Sequence, residues 1–185
     1  VGAAVETGLI GTVAGALQDG IAAGERNLGL SPRATLLFAA LLICWTGGLL
    51  SAVIDNIPFV AVSIPVVAQL TGSLAGDTQV LWWALSLGAC LGGNATPIGA
   101  SANVTTLGLA EKVGIRVTFG AFTRFGAVVA AGTLLIASGF LALFVYAGRT
   151  GATLLTSAAL MVAAVMWRLS TRRAASRGAP RITSA

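Results

Sequence analysis

Two short polar motifs interrupt long apolar stretches, and their residue types suit ion binding. They are Ser51-Ala52-Val53-Ile54-Asp55-Asn56-Ile57-Pro58-Phe59 and the stretch Gly92-Gly93-Asn94-Ala95-Thr96-Pro97-Ile98-Gly99-Ala100-Ser101-Ala102-Asn103. Because Pro has no N–H and clashes with the carbonyl four residues back, we expect main-chain groups to be freed at positions 54 and 93. Freed carbonyl oxygens can coordinate a cation, and the N–H groups of the next half-helix, near Ser101, can face an anion.

Asp55 is the one charged residue between Ala34 and Gly76. An ionisable side chain inside a membrane segment indicates a functional site, so Asp55 is the first candidate for binding a coupling cation. The alternative is a surface turn between two full helices. Glu6 lies in the first apolar segment and is either a second proton or ion site or a residue at the membrane interface.

The composition predicts an integral membrane protein. Of the 185 residues, 56% are hydrophobic and 9% are charged, against about 25% charged in a typical soluble domain. Stretches free of charged residues cover 34–54, 56–76, 78–110, 125–148 and 150–167, and about 20 apolar residues are enough for one crossing. The chain has no His and two Cys. We find no nucleophile–base pair and no metal-ligand cluster, so we do not expect an enzyme.

The distribution of Lys and Arg gives an expected topology. If the chain crosses the membrane an even number of times between Arg33 and Lys112, ten basic residues lie on one side and one, Arg149, lies on the other. If it crosses an odd number of times, the two sides hold three and eight basic residues. The positive-inside rule favours the first case and a cytoplasmic C-terminus. An even number of crossings requires either a re-entrant hairpin around Asp55 or two short crossings within 78–110. We favour the hairpin.

The expected fold is therefore all-α, with polytopic helices, one re-entrant hairpin and one broken, unwound transmembrane helix. After a full helix from about Ala34, we place the hairpin at about 47–70 and the broken helix at about 80–110. A helix at 125–147 and an additional transmembrane helix at 150–167 follow. A basic cytoplasmic tail covers 168–185, and its lack of interleaved aromatic residues argues against nucleic acid as a partner.

The motifs resemble those of a known group, the ion-transporter superfamily of arsenite permeases, D-type sodium–proton antiporters and citrate or dicarboxylate transporters. The resemblance rests on Val5-Glu6-Thr7-Gly8, on Asp55 to Phe59 and on Leu91 to Val104, and it is closest to the arsenite permease and D-type antiporter branch. It implies that residues 1–147 are the C-terminal one of two inverted repeats, so that a missing N-terminal repeat of the same polypeptide is one expected partner.

The resemblance also implies the roles of the motif residues. Asp55, Asn56 and Pro58 would form the hairpin tip, and the unwound segment would hold Asn94, Thr96, Pro97, Gly99, Ser101 and Asn103. We take these nine residues as the candidate ion- or substrate-binding set, with Glu6 as an additional coupling site. No metal site and no cofactor is expected, apart from H⁺ or Na⁺ as a coupling ion.

The function this favours is secondary active transport across the cell inner membrane. Arsenite or antimonite efflux is the first expected activity, and sodium–proton antiport or di- or tricarboxylate transport are the alternatives. The expected partners are membrane lipid, a small inorganic ion or anion and, as a further alternative, a second copy in a homodimer. A hypothesis of another class is a non-transporting membrane assembly component, in which each Pro only kinks a helix and each Asn only joins helices.

Overall fold

The computed structural model describes residues 9–177, and within that range the chain forms helices and no strand. This confirms the all-helical expectation. Glu6 and the end of the predicted tail, 178–185, lie outside the described residues. The helices are α1 (Leu9–Leu28), α2 (Pro32–Ser51), α3 (Asn56–Thr71), α4 (Gln79–Gly92), α5 (Ser101–Lys112) and α6 (Phe119–Arg177).

Helix α2 begins where the sequence predicts a helix start. Ser31 is the N-cap and its hydroxyl accepts a hydrogen bond from the N–H of Ala34 at 3.4 Å, while Pro32 occupies the first turn. Pro is suited to that position because its fixed φ is helical and its missing N–H would have no partner there. A Ser cap followed by Pro therefore marks the start of α2, two residues before the expected Ala34.

Helices α2 and α4 pack closely because small residues face each other. A Cβ on Gly92 would collide with the main chain of Gly48, and a Cβ on Gly88 would lie 3.0 Å from the Cα of Cys44. Spacings of four residues on both helices put these small residues on one face, the arrangement that lets membrane helices approach closely. This contact brings the end of α2 beside the end of α4, where the two polar motifs begin.

The structure differs from the expected hairpin boundaries. Residues 47–51 are the last part of α2, which is one continuous helix from Pro32 to Ser51, so no separate hairpin arm begins at 47. The glycines at 47 and 48 do not interrupt the helix because they are contact points: a Cβ on Gly47 would meet the ring of Phe59 at 3.6 Å, and one on Gly48 would meet Leu134 at 2.9 Å. The full helix expected from about Ala34 is present as α2, and the residues expected to form the first arm of the hairpin are its last turns.

Among the described residues, two helices have the length and apolarity to cross a membrane, namely Pro32–Ser51 and the part of α6 from Phe119 to Met161. Helix α3 is apolar but has 16 residues, or about 24 Å, against a hydrocarbon core of about 30 Å. These apolar helices support an integral membrane protein.

Helix α6 begins at Phe119, six residues before the expected start. Thr118 precedes it and accepts a hydrogen bond from the N–H of Ala121 at 3.2 Å, a side-chain cap that stabilises the earlier start. Between the two predicted helices 125–147 and 150–167 lies one non-helical residue, Gly148, with φ 71° and ψ 174°. The chain divides into two compact units next to this point, one ending at Tyr146 and one beginning at Ala147. In the second unit the helix continues to Arg177, into the predicted tail.

Candidate functional site

The candidate site lies where the turn between α2 and α3 meets the interruption between α4 and α5. The hydroxyl of Ser101 donates a hydrogen bond to the carboxylate of Asp55. The hydroxyl of Thr96 donates to the carbonyl of Ala52 in the same turn. Two motifs that are more than 40 residues apart in sequence are thus joined by side-chain hydrogen bonds.

The interruption consists of two 3₁₀ turns separated by extended residues. The turns are Gly93–Ala95 and Pro97–Gly99, and Thr96 between them has φ −132° and ψ 160°. Ala100 is also extended, and α5 begins at the next residue. The Thr96 hydroxyl accepts a hydrogen bond from the N–H of Gly99 at 3.1 Å, which stabilises the second turn. The main chain from 93 to 100 is therefore not α-helical, at the place where the sequence predicts an unwound segment.

Asn103 holds the interruption in place from within α5. Its amide nitrogen donates to the carbonyl of Gly93 and to the carbonyl of Thr96, each at 3.0 Å. The Gly93 carbonyl is the group that Pro97 was expected to free for a cation. Because it already accepts a hydrogen bond from Asn103, its role here is to fix the main chain.

Asn56 connects the start of α3 to the interruption. The surrounding carbonyls require its amide nitrogen to face them, and in that orientation it donates to Ala89 at 3.0 Å and to Gly99 at 3.2 Å. The buried hydroxyl of Ser51 donates to the same Ala89 carbonyl at 2.7 Å, and the Ser51 and Asn56 side chains are in contact. The ends of α2, α3 and α4 thus share one polar network.

Gly99 occupies a position with no room for a side chain. A Cβ there would lie 2.6 Å from the carbonyl oxygen of Gly93 and 2.8 Å from that of Ser51. Real Cβ atoms do not approach main-chain oxygens this closely, so any larger residue would displace the turn. The glycine therefore allows three main-chain segments to meet at one point.

Helix ends give the site its electrostatic character. Helices α3 and α5 both start here, after Asp55 and Ala100, and neither helix has a side-chain cap hydrogen bond at its N-terminus. N-terminal N–H groups carry partial positive charge and favour anions. Helices α2 and α4 end here, at Ser51 and Gly92, and their C-termini favour cations.

The structure brings six of the nine candidates into this connected arrangement: Asp55, Asn56, Thr96, Gly99, Ser101 and Asn103. Pro97 is buried beside them in the second 3₁₀ turn. Asn94 is exposed, and its amide donates to the carbonyl of Cys90 in α4 at 3.4 Å. Asn94 does not join the network.

Pro58 does not free a main-chain carbonyl as expected. It is exposed in the first turn of α3, which begins at Asn56, so the carbonyl of residue 54 lies outside the helix. An N–H in a first turn has no partner within the helix in any case. Pro58 therefore acts as a helix-start residue, and the expectation of an unpaired carbonyl caused by it is wrong.

Three positions in the site were missed as candidates. Ser51 and Ala89 belong to the Asn56 network, and Gly126 of α6 packs against the first 3₁₀ turn, where a Cβ would lie 2.5 Å from the carbonyl oxygen of Asn94. Ser51 carried a usable signal, since a hydroxyl at the end of an apolar helix needs a partner. Ala89 and Gly126 contribute main chain and close approach, which residue type alone does not reveal.

Comparison with known proteins finds a transporter family and several similar proteins. The family model described as "Citrate transporter" matches residues 1–88. An uncharacterized transporter of Mycobacterium bovis is 41% identical over 143 residues, which is 76% of this chain and 31% of that protein. The P protein of Mus musculus is 49% identical over 90 residues, which is 48% of this chain and 11% of that protein. No solved structure matches.

These similarities support the ion and citrate transporter superfamily at large. The family match includes Asp55 and ends at Gly88, before the interruption between α4 and α5. The chain spans 31% of the length of the mycobacterial transporters. Together with the apolar helices, the similarities support an integral membrane protein of a transporter type.

Proposed function

We propose that the protein is a secondary active transporter of a small anion or inorganic ion, and that the polar network around Asp55 and Ser101 is part of its binding site. The observation that carries the proposal is the meeting of two interrupted main-chain segments, which places two helix N-termini and two helix C-termini together. Broken helices of this kind form ion and substrate sites in transporters.

In this proposal the anion binds at the N-termini of α3 and α5. No Lys or Arg occurs between Ala34 and Glu111, so main-chain N–H groups supply the positive potential within this part of the chain. Asp55 occupies the same region, and its negative charge opposes an anion. A cation that neutralises Asp55, H⁺ or Na⁺, would therefore increase anion affinity and couple the two fluxes.

The substrate candidates are arsenite or antimonite, Na⁺ in exchange for H⁺, and a di- or tricarboxylate. The resemblance of the motifs favours the first, and the citrate transporter family match favours the last. The remaining binding groups would come from an N-terminal repeat of the same polypeptide, which would meet Asp55 at the turn between α2 and α3. The five Arg residues of the C-terminal tail would lie on the cytoplasmic side.

The test is transport by the full-length protein in proteoliposomes, with citrate, arsenite and a Na⁺-driven proton flux measured separately. We expect one of these fluxes above that of empty vesicles, and we expect Asp55→Asn to lower its cation dependence by about tenfold or more. Asp19→Asn is the control because Asp19 is an exposed carboxylate on α1.

Two results would contradict the proposal. One is the absence of all three fluxes in vesicles that contain folded protein, which would favour a non-transporting assembly component. The other is a cation dependence that Asp55→Asn leaves intact, which would remove Asp55 from the coupling step. A flux that Asp19→Asn lowers as much as Asp55→Asn does would likewise remove the special role of Asp55.

A further inference from the structure

An apolar groove of about 340 Å³ lies between α4 and the part of α6 that belongs to the first compact unit. Its walls include Trp83, Leu87 and Leu91 of α4 and Thr133, Ile136 and Phe140 of α6. The three α4 residues are four positions apart and therefore share one helix face. Clefts of about 300–1,000 Å³ with mostly apolar walls are typical of ligand sites. None of the residues in the Asp55 network lines this groove.

The groove offers no polar group to an occupant. The hydroxyl of Thr133 donates to the carbonyls of Val129 and Ala130 at 2.9 Å and 3.0 Å, so it is satisfied within its own helix. A polar or ionic ligand would lose its hydration in the groove without a replacement, which is costly. The chemistry of the walls therefore fits an occupant that is apolar along its length.

The groove runs along two antiparallel helix segments. At one end, the rings of Trp83 and Phe140 pack edge to face with centroids 6.1 Å apart. Beyond the other end, Gly126 of α6 lies against Asn94, which follows α4. The groove follows α4 for eight residues, from Trp83 to Leu91, which is about 12 Å at 1.5 Å per residue.

Trp82 and Trp83 mark one end of the groove as the membrane surface. Both are partly exposed and lie in the first two turns of α4, which begins at Gln79. Trp is enriched at membrane–water interfaces because its ring is apolar and its N–H is polar. The indole N–H of Trp45 donates to Ser138, whereas that of Trp83 has no acceptor among the described residues. The Trp83 N–H is therefore available to an ester or phosphate oxygen of a lipid.

The groove differs in residue type from the helix contacts of this chain. Where α4 packs against α2, the residues in contact are small, as at Gly88 and Gly92. Contacts between membrane helices are usually built from Gly, Ala, Ser and Thr. Beside the groove, Leu135 and Ile136 are 62% and 75% exposed, and both are large aliphatic residues. Such a rim suits a flexible hydrocarbon chain better than the backbone of another helix.

We propose that this groove binds one acyl chain of a membrane phospholipid, with the ester and phosphate groups of the lipid beside the Trp83 indole. Lipid tails are as apolar as Leu, so the transfer itself supplies little free energy. Affinity comes from van der Waals contact along the groove and from the indole hydrogen bond. Because the acyl chain contacts both walls, it also ties α6 to α4. The site is independent of the proposed function, since lipid retention is measured without transport.

Photo-crosslinking of the full-length protein tests the site, with a phosphatidylcholine that carries a diazirine on one acyl chain. Illumination of phosphatidylcholine proteoliposomes should label Leu87 in the groove and also Val128, which is exposed on α6 outside the groove. A second sample is extracted in detergent and purified before illumination, which dilutes loosely associated lipid. We expect the label at Leu87 to persist and that at Val128 to fall by about tenfold or more relative to it.

Substitutions in the groove should release the lipid. Thr133→Phe places a ring in the groove, and we expect it to lower the retained label at Leu87 by about tenfold. Leu135→Phe is the matched control, because Leu135 is exposed two residues away and does not line the groove; its retained label should stay within about twofold of the wild type. Trp83→Phe keeps a ring and removes the N–H, and we expect a loss of about threefold.

Four results would overturn the lipid site or its orientation. Absence of label at Leu87 in proteoliposomes would mean that another part of the polypeptide, or a second copy, occupies the groove. Equal loss at Leu87 and Val128 in detergent would mean that lipid only solvates this face. Equal retention in Thr133→Phe and Leu135→Phe would place the retained lipid elsewhere, and full retention in Trp83→Phe would remove the headgroup from the indole. Should Thr133→Phe fold poorly, the wild-type comparison of Leu87 with Val128 still decides.

Discussion

The hydroxyl of Ser101 donates a hydrogen bond to the carboxylate of Asp55, which joins the first residue of α5 to the residue that precedes α3. The carboxylate therefore lies at the N-termini of two helices, where their dipoles favour negative charge. A charged acceptor also makes this a stronger hydrogen bond than one between neutral groups. Protonation or Na⁺ binding at Asp55 would weaken the link and change how α3 and α5 are held together.

Replacing Ser101 tests whether this link matters for coupling. We expect Ser101→Ala to shift the cation concentration at half-maximal flux by about tenfold or more, because a hydrogen bond to a charged group contributes about 1.5–3 kcal/mol. Concentration-dependent uptake in proteoliposomes measures it. Ser101→Thr keeps the hydroxyl and should behave like the wild type.

A control for Ser101→Ala is Thr106→Ala on the same helix. The Thr106 hydroxyl is exposed and donates only to the carbonyl of Ala102. We expect no shift in the cation dependence of Thr106→Ala. Equal shifts in the two variants would show that any lost hydroxyl on α5 has the same effect, and the Asp55–Ser101 link would have no particular role.

Gly99→Ala should disrupt the site by sterics alone. The added methyl would lie 2.6 Å from the Gly93 carbonyl oxygen and 2.8 Å from the Ser51 carbonyl oxygen, and we expect a loss of about 1–3 kcal/mol in unfolding free energy, as for other overpacked positions. The midpoint temperature of unfolding in detergent and the flux in vesicles should both fall.

Gly108→Ala is the matched control for Gly99→Ala. Gly108 lies within α5, and a Cβ there meets nothing within 4 Å. Ala is favoured over Gly in a helix interior by about 1 kcal/mol, so we expect equal or higher stability and unchanged flux. A tolerated Gly99→Ala substitution would contradict the close packing of the three main-chain segments.

The two asparagines of the second motif should behave differently. Asn103→Ala removes both donors that hold the Gly93 and Thr96 carbonyls, and leaving partly buried carbonyls unpaired costs about 1–3 kcal/mol each. We expect lower thermal stability and faster amide hydrogen exchange at residues 93–99. Asn94→Ala should change both measurements little, because Asn94 is exposed and outside the network.

Two results would contradict the roles assigned to Asn103 and Asn94. If hydrogen exchange at 93–99 is the same in both variants, Asn103 does not hold the interruption. If Asn94→Ala abolishes flux while stability stays constant, Asn94 contacts the substrate directly, and the exposed side chain is a ligand in spite of its position.

Local signals in the sequence were sufficient for part of the fold. Ser31 and Pro32 identify the start of α2 because a cap and a first-turn Pro act within one turn. The concentration of Gly and Pro from Gly92 to Gly99 likewise indicates where the α-helical conformation ends. The hairpin boundaries depended instead on packing. Gly47 and Gly48 resemble helix breakers, but contacts with other helices keep α2 continuous through them.

The composition of the site was easier to predict than its geometry. Residue types and the resemblance of the motifs selected Asp55 and Ser101, which are hydrogen-bonded to each other. They could not distinguish Asn94 from Asn103, because the direction of each side chain depends on how the 3₁₀ turns rotate the chain between them.

A hydrogen bond between α2 and α6 gives a quantitative test of how the site is supported. The indole N–H of Trp45 donates to the hydroxyl of Ser138 at 3.1 Å. Hydrogen bonds between membrane helices contribute about 0.6 kcal/mol on average in double-mutant cycles, and about 1.7 kcal/mol at most. We therefore expect Trp45→Phe and Ser138→Ala to show a coupling energy in that range, measured from unfolding free energies in detergent.

The size of this coupling decides what holds α6 to the site. The Ser138 hydroxyl also donates to the Leu134 carbonyl of its own helix at 2.8 Å. In Ser138→Ala, the indole N–H of Trp45 therefore loses its hydrogen-bond acceptor. Substitution of Trp45 by Phe in the Ser138→Ala background should then cost less than it does in the wild type. Additive effects of the two substitutions would mean that α6 is held by its apolar contacts, such as Leu134 on Gly48, and that the hydrogen bond contributes no net stability.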